Sequence, residues 1–185
     1  GLHCSSACIA GEVAHAIDIG RMDEAERVAR WYQNLFGDDY SLEVMLHPPG
    51  KGERGDEKSP IPGRAIEDFH ELYARQKKVV SGMIELGKKL GIRIVATNDV
   101  HFLNAADDDS HDVLLALSTG VKMADEKRMI YTGQEYFKTE EEMRSLFSEN
   151  PEFIAASKEI ADGVEEYELN SPPIMPKVPI PASFG

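Results

Sequence analysis

Ile92-Arg93-Ile94-Val95-Ala96-Thr97-Asn98-Asp99-Val100-His101 is the stretch whose reading decides the fold. An apolar run of strand length gives way to polar groups, with Asp99 and His101 one residue apart. Read as a buried strand over 92–97, it places both just past its C-terminal end. In sheets built from strand–helix units, ligands collect at that end. Side chains at i and i+2 of an extended segment point the same way, so a carboxylate and an imidazole there can share one metal ion.

The neighbouring segments extend the pattern. Arg64 to Leu90 is a long amphipathic helix closed by Gly91. Tyr40 to Leu46 alternates and is rich in β-formers, which predicts a second strand. Met22 to Phe36 carries Ala25, Val28, Ala29, Tyr32, Leu35 and Phe36 at helical spacing, and Gly37-Asp38-Asp39 ends it. Glu12 to Ile19 is helical in pattern, and Leu2 to Ala7 reads as a first short strand. Downstream, Asp107 to Ser118 predicts a helix with Val113, Leu114 and Leu117 as its apolar face. Met129 to Phe137 reads as a turn with short extended pieces. Thr139-Glu140-Glu141-Glu142 is a capping box opening a helix through Phe147. Pro151 opens a last helix that runs to about Asp162 and stops at Gly163. Pro48 to Gly63 is a loop with four prolines and four glycines, and the Pro-rich tail Ser171 to Pro181 is extended.

Strand–helix alternation of this kind means parallel strands with right-handed crossovers. Three strands are few for a closed barrel, so we expect a piece of a larger one. Its open sheet edge would invite self-association. Composition sets the outer limits. The chain has 185 residues, 42% of them hydrophobic, and a net charge of -13. Surfaces that grip nucleic acid are usually basic, so the surface at large is excluded from that role. A local cationic site, such as a metal cluster, is left to handle a phosphate. No apolar run reaches transmembrane length, which argues against a membrane role. Cys4 and Cys8 at i, i+4 spacing argue against a disulfide framework, and the chain reads as cytoplasmic.

Each predicted strand is followed by a group that a metal accepts: Cys8, then His47, then Asp99 and His101. Parallel strands put all of these on one face. Thiolate, imidazole and carboxylate suit zinc, manganese or iron. Each residue also has a plain structural reading. Cys8 can be a small buried hydrophobe. His47 can satisfy a turn before Pro48-Pro49, Asp99 can cap a turn, and His101 can bond a backbone carbonyl. Glu43, inside the second strand, faces either solvent or a polar interior where it would support a ligand or act as a base. Asn98 orients Asp99 or the following turn. Asp107-Asp108-Asp109 reads as a solvated helix start, and His111-Asp112 as a packing or helix-terminus feature. No P-loop, dinucleotide fingerprint or nucleophile elbow is present.

At these residues the chain is similar to a known family. Ser6-Ala7-Cys8-Ile9-Ala10-Gly11-Glu12-Val13, Val95 to Leu103, Ser110-His111-Asp112-Val113-Leu114 through Gly120, and Phe137 to Met143 resemble the alpha subunits of bacterial DNA polymerase III, C-family replicative polymerases. The resemblance implies an α/β fold, part of a distorted (β/α) barrel of the polymerase-and-histidinol-phosphatase (PHP) type. It implies the C-terminal half of that domain over 1–120, and a helical connection with a Pro-rich linker toward the palm over 121–185. It implies Cys8, Asp99 and His101 as metal ligands, with Asp99 and His101 catalytic and His47 near the site; with the reading of the residues above, Glu43, His47 and Asn98 are expected to touch substrate or support the ligands. The implied cofactors are divalent ions (Zn, Mn or Mg) in the intact domain. Family motifs rich in His, absent here, supply most of the ligands, so this chain alone is expected to bind metal weakly or not at all. The implied activity is metal-dependent 3′-5′ exonuclease or phosphoesterase chemistry within a DNA-directed DNA polymerase, with DNA and other replicase subunits as partners. A PHP domain kept only as structural support, or a free-standing phosphoesterase, are the alternatives.

Overall fold

The fold is described from a computed structural model covering residues 1–50, 63–125 and 127–176. In chain order it runs β1 (Cys4–Ser5), α1 (Glu12–Asp18), α2 (Met22–Phe36), β2 (Tyr40–Val44), α3 (Gly63–Leu90), β3 (Arg93–Ala96), α4 (Asp108–Thr119), α5 (Glu140–Leu146) and α6 (Glu152–Asp162). The three strands form one parallel sheet in the order β1-β2-β3, with Ser41 opposite both Ser5 and Arg93. Helices make both crossovers, so the alternation read from sequence gives the expected parallel α/β arrangement. The expected loop Pro48 to Gly63 falls largely outside the described residues, as does the end of the Pro-rich tail.

The strands are shorter than their patterns, for a visible reason. The Ser6 amide still donates to the Ser41 carbonyl at 3.0 Å. The next backbone donor, the Glu43 amide, is taken by the Ser6 hydroxyl at 2.8 Å. A side chain thus replaces the main chain in the ladder and ends β1 where Leu2 to Ala7 predicted more. The second strand ends at Val44 instead of Leu46, and the amide of His47 turns to the Gln76 side chain at 2.7 Å.

The start of α5 and the end of α3 follow local chemistry. Thr139 and Glu142 form the expected capping box, with the Thr139 hydroxyl accepting from the Glu142 amide at 3.2 Å and Glu142 accepting from the Thr139 amide at 2.8 Å. Gly91 follows α3 at φ 68, a left-handed conformation that favours glycine. Inside α3, a Cβ on Gly82 would lie 2.5 Å from Ile17 Cγ2, so this glycine lets α3 pack closely on α1.

One core joins the elements. Val13 and Ile17 of α1, Ala25 and Ala29 of α2, Leu42 and Val44 of β2, and Met83 and Leu86 of α3 belong to it. Phe147, Phe153 and Ile154, from the region of α5 and α6, pack into the same cluster.

Helix α4 corrects the sequence reading. Its expected apolar face is on the outside: Val113, Leu114 and Leu117 are 53%, 61% and 77% exposed. Asp108, Asp112 and Ala116 face inward instead. Arg128 explains the inversion. Its guanidinium, 1% exposed, reaches the Asp112 carboxylate at 3.2 Å, and its Nε donates to the Met123 carbonyl at 3.1 Å. The acidic triplet is likewise no simple solvated helix start, since Asp108 is 2% exposed and Asp107 accepts from the Asn104 amide at 2.8 Å.

Candidate functional site

Past the C-terminal ends of the strands lies a cavity of about 370 Å³. Cys8, Glu43, His47 and Asp99 all line it, together with Gln76, Tyr131, Thr132 and Glu135. Four residues singled out from three separate segments of the sequence therefore meet around one space. Parallel strands produce this convergence by pointing their C-terminal ends the same way. Asn98 and His101 are not among the lining residues.

Backbone geometry aims two of the lining groups. Ala7 at φ 62 and Asp99 at φ 50 are the non-glycine residues with left-handed backbone among those described. Ala7 directly precedes the lining residue Cys8, and Asp99 is itself a lining residue three positions past the end of β3. Such conformations cost of order 1–3 kcal/mol and persist where the surroundings fix them, which is common at functional sites. Asp tolerates this region better than most residues. The Asp99 side chain is 48% exposed at the rim. Cys8 is a free, partly buried thiol.

The remaining predicted residues are engaged in holding the site together. Glu43 accepts from the Thr97 hydroxyl at 2.6 Å and from the Ser5 hydroxyl, tying the ends of β1 and β3 to β2. His47 is buried, at 4% exposure. Its Nε2 lies 3.1 Å from the Asn98 carbonyl and its Nδ1 3.1 Å from the Gln76 side-chain nitrogen. The carbonyl only accepts, so His47 carries its proton on Nε2 and its Nδ1 accepts from Gln76. Both nitrogens are spent, and His47 has no lone pair for a metal. The Asn98 side chain donates to the Gln134 and Tyr136 carbonyls at 2.9 and 2.8 Å. These contacts tie Asn98 to the 134–136 segment, a role that neither reading from the sequence named.

The far wall of the cavity comes from 129–135, which sequence reasoning passed over as a turn. The His101 amide donates to the Glu135 carbonyl at 2.7 Å, and the Phe137 amide to the Phe102 carbonyl at 3.0 Å, which stitches this wall to the segment after β3. Glu135 is 3% exposed. Its Oε1 accepts from the Thr132 hydroxyl at 2.8 Å and lies 3.9 Å from His47 Nδ1, while Oε2 has no hydrogen-bond partner among the described residues. No periodicity marks Glu135, because the wall has no regular structure; a lone charge in a polar turn looks solvated until the fold closes over it. His101 donates from Nδ1 to the Asp99 carbonyl at 2.7 Å, and Tyr131 sits 3.0 Å from its Nε2. Burial, then the Asp99 and Glu135 charges, push the Tyr131 phenol up, so it keeps its proton.

Burial lowers the His47 pKa below its ordinary 6.5, with the Glu135 charge pulling the other way. The unfolded chain therefore takes up a proton before the folded one does. Stability should be complete above pH 6.5 and decline as pH falls below it. Urea unfolding at pH 8 and pH 5.5 checks this: His47→Gln should flatten the difference, and an unchanged slope would assign it to other groups.

Cys8 and Asp99 bring a thiol and a carboxylate to the cavity, but His47 and His101 have both ring nitrogens engaged. Among the described residues, no three His, Cys, Asp or Glu side chains come together to hold one ion. As arranged in this chain, the donors do not fit a metal centre by themselves.

No family model matches the chain. Individual relatives do. The DNA polymerase III subunit alpha of Borreliella burgdorferi is 30% identical over 187 aligned residues, covering 100% of this chain. That of Treponema pallidum is 34% identical over the whole chain, and that of Chlamydia pneumoniae 34% identical over 87% of it. The chain spans 14% of the length of each of these relatives. Among the described residues, no helix is long and apolar enough to cross a membrane. Along its whole length, then, this chain is similar to one segment of the bacterial DNA polymerase III alpha subunits, as the motifs around Cys8, Asp99 and His111 implied.

Proposed function

We propose that this chain serves within a replicative DNA polymerase as the C-terminal half of its PHP domain over 1–120, with 121–185 connecting toward the palm. The observation that carries this is the meeting of Cys8, Glu43, His47 and Asp99 around one cavity at the strand ends. The intact domain would bind divalent ions, zinc, manganese or magnesium, with further donors from outside this chain. Such ions supply Lewis acidity at a phosphodiester. This chain presents the Asp99 carboxylate and the Cys8 thiol at a common rim. Glu43, His47 and Asn98 hold that rim rigid from beneath. The substrate is the 3′ end of DNA, other replicase subunits are the protein partners, and the compartment is the cytoplasm.

A second reading, a PHP domain retained as structural support, is favoured by the engagement of His47, His101 and Glu43 in internal hydrogen bonds. One experiment separates the two. In the intact alpha subunit, Asp99→Ala should reduce manganese-dependent 3′-5′ exonuclease on single-stranded DNA by at least about 100-fold, with primer extension within about twofold. Equal nuclease in the variant, or none in the parent, would leave the structural role.

A further inference from the structure

Lys138 follows the 129–135 wall and precedes α5, with its side chain half-buried. Its Nζ donates to the Gln134 carbonyl and lies 4.0 Å from the centroid of the Tyr136 ring. No carboxylate among the described residues forms an ion pair with it. Lys138 also borders a second cavity, lined by Ala96 at the end of β3, Met143 of α5 and Ile154 of α6. The other cations on that cavity are paired: Arg144 lies 2.7 Å from Glu140, and Lys158 2.6 Å from Asp162. Burial pushes the Lys138 ammonium down to about 8, against the pull of the Glu135 and Glu142 charges. At pH 8 about half of Lys138 is therefore free amine, against roughly 0.3% of a lysine at the ordinary 10.5. Desolvation of this kind is what turns a lysine into a nucleophile.

We propose that Lys138 is a covalent modification site, its ε-amine acylated without an enzyme by small acyl phosphates that enter the cavity between α5 and α6. The neutral Nζ attacks the carbonyl carbon of the donor. A C–N bond forms and the C–O bond to the phosphate breaks. Phosphate leaves with the bonding pair, and the proton given up by the amine ends on it. The cavity admits a small donor, and a phosphate leaving group suits a border where Arg144 and Lys158 stand beside Lys138. The product is a neutral amide. The Gln134 carbonyl also accepts from the Asn98 side chain at 2.9 Å, so acylation removes a cation from the seam that ties the cavity wall to the segment after β3. The site is independent of the strand-end rim and of any metal there.

The test uses the full chain and acetyl phosphate at pH 8, with acetylation of each lysine followed in time by peptide mass spectrometry. Lys138 should react about tenfold faster than the exposed Lys88 and Lys122, since its larger amine fraction outweighs the weaker nucleophilicity of a less basic amine. In concentrated urea the three rates should become equal. The Lys138 rate should level off above about pH 9, while those of Lys88 and Lys122 keep rising. Lys138 reacting no faster than Lys88 and Lys122, an advantage that survives urea, or a Lys138 rate that climbs with the others past pH 9 would each overturn the proposal.

Discussion

Replacing Arg128 with methionine is expected to cost about 3–5 kcal/mol of unfolding free energy. The guanidinium and the Asp112 carboxylate face each other at 3.2 Å with side chains 1% and 2% exposed. Removing the cation leaves a carboxylate in a place water does not reach, and the desolvation of that charge loses its main compensation. The effect should be asymmetric. A double variant, Arg128→Met with Asp112→Leu, should recover most of the loss, because an apolar pair of similar volume replaces a buried ion pair with little penalty. Urea unfolding of the two single variants and the double one gives the coupling directly. A double variant as unstable as Arg128→Met would show that the pair is not what turns the acidic face of α4 inward. The loss would extend to the cavity, since Arg128 adjoins the 129–135 wall.

A loss of similar size is expected from Leu42→Ala, about 3–5 kcal/mol. Leu42 is 0% exposed and lies in β2, the central strand, paired in register with Ile94 of β3. It belongs to the core cluster that α1, α2 and α3 share. Truncation removes its apolar burial and leaves a void between elements that cannot all collapse into it. Leu117→Ala is the control. It deletes the same atoms from a residue 77% exposed on α4 and should change stability by less than about 0.5 kcal/mol. A loss below about 1 kcal/mol for Leu42→Ala would mean that β2 is not the centre of the core.

Much of the site was legible because its key residues stand at strand ends. Cys8, His47 and Asp99 each follow an apolar run, and parallel pairing is enough to gather them. What their side chains do was not legible. His47 looked like a residue near a ligand, yet its partners Gln76 and Asn98 come from α3 and from beyond β3, and no local spacing connects them. His101 was read with Asp99 as a pair sharing an ion, but its lone pair is answered by Tyr131, thirty positions on and inside a turn. Glu135 escaped notice for the same reason.

Local rules determined the order and kind of the elements, the bounds of α2, the capping box at Thr139 and the parallel sense of the sheet. These depend on periodicity, on backbone hydrogen bonds near helix ends and on chain connectivity, all of which act over a few residues. The tertiary structure alone decided which side of α4 faces inward. Val113, Leu114 and Leu117 form a proper apolar stripe, and periodicity identifies a stripe without saying what it will meet. Arg128 supplied a partner for Asp112, and a buried charge that finds its counter-ion outweighs the preference of exposed leucines for cover. That choice was a long-range electrostatic one, and it also set the wall of the cavity where Tyr131 meets His101.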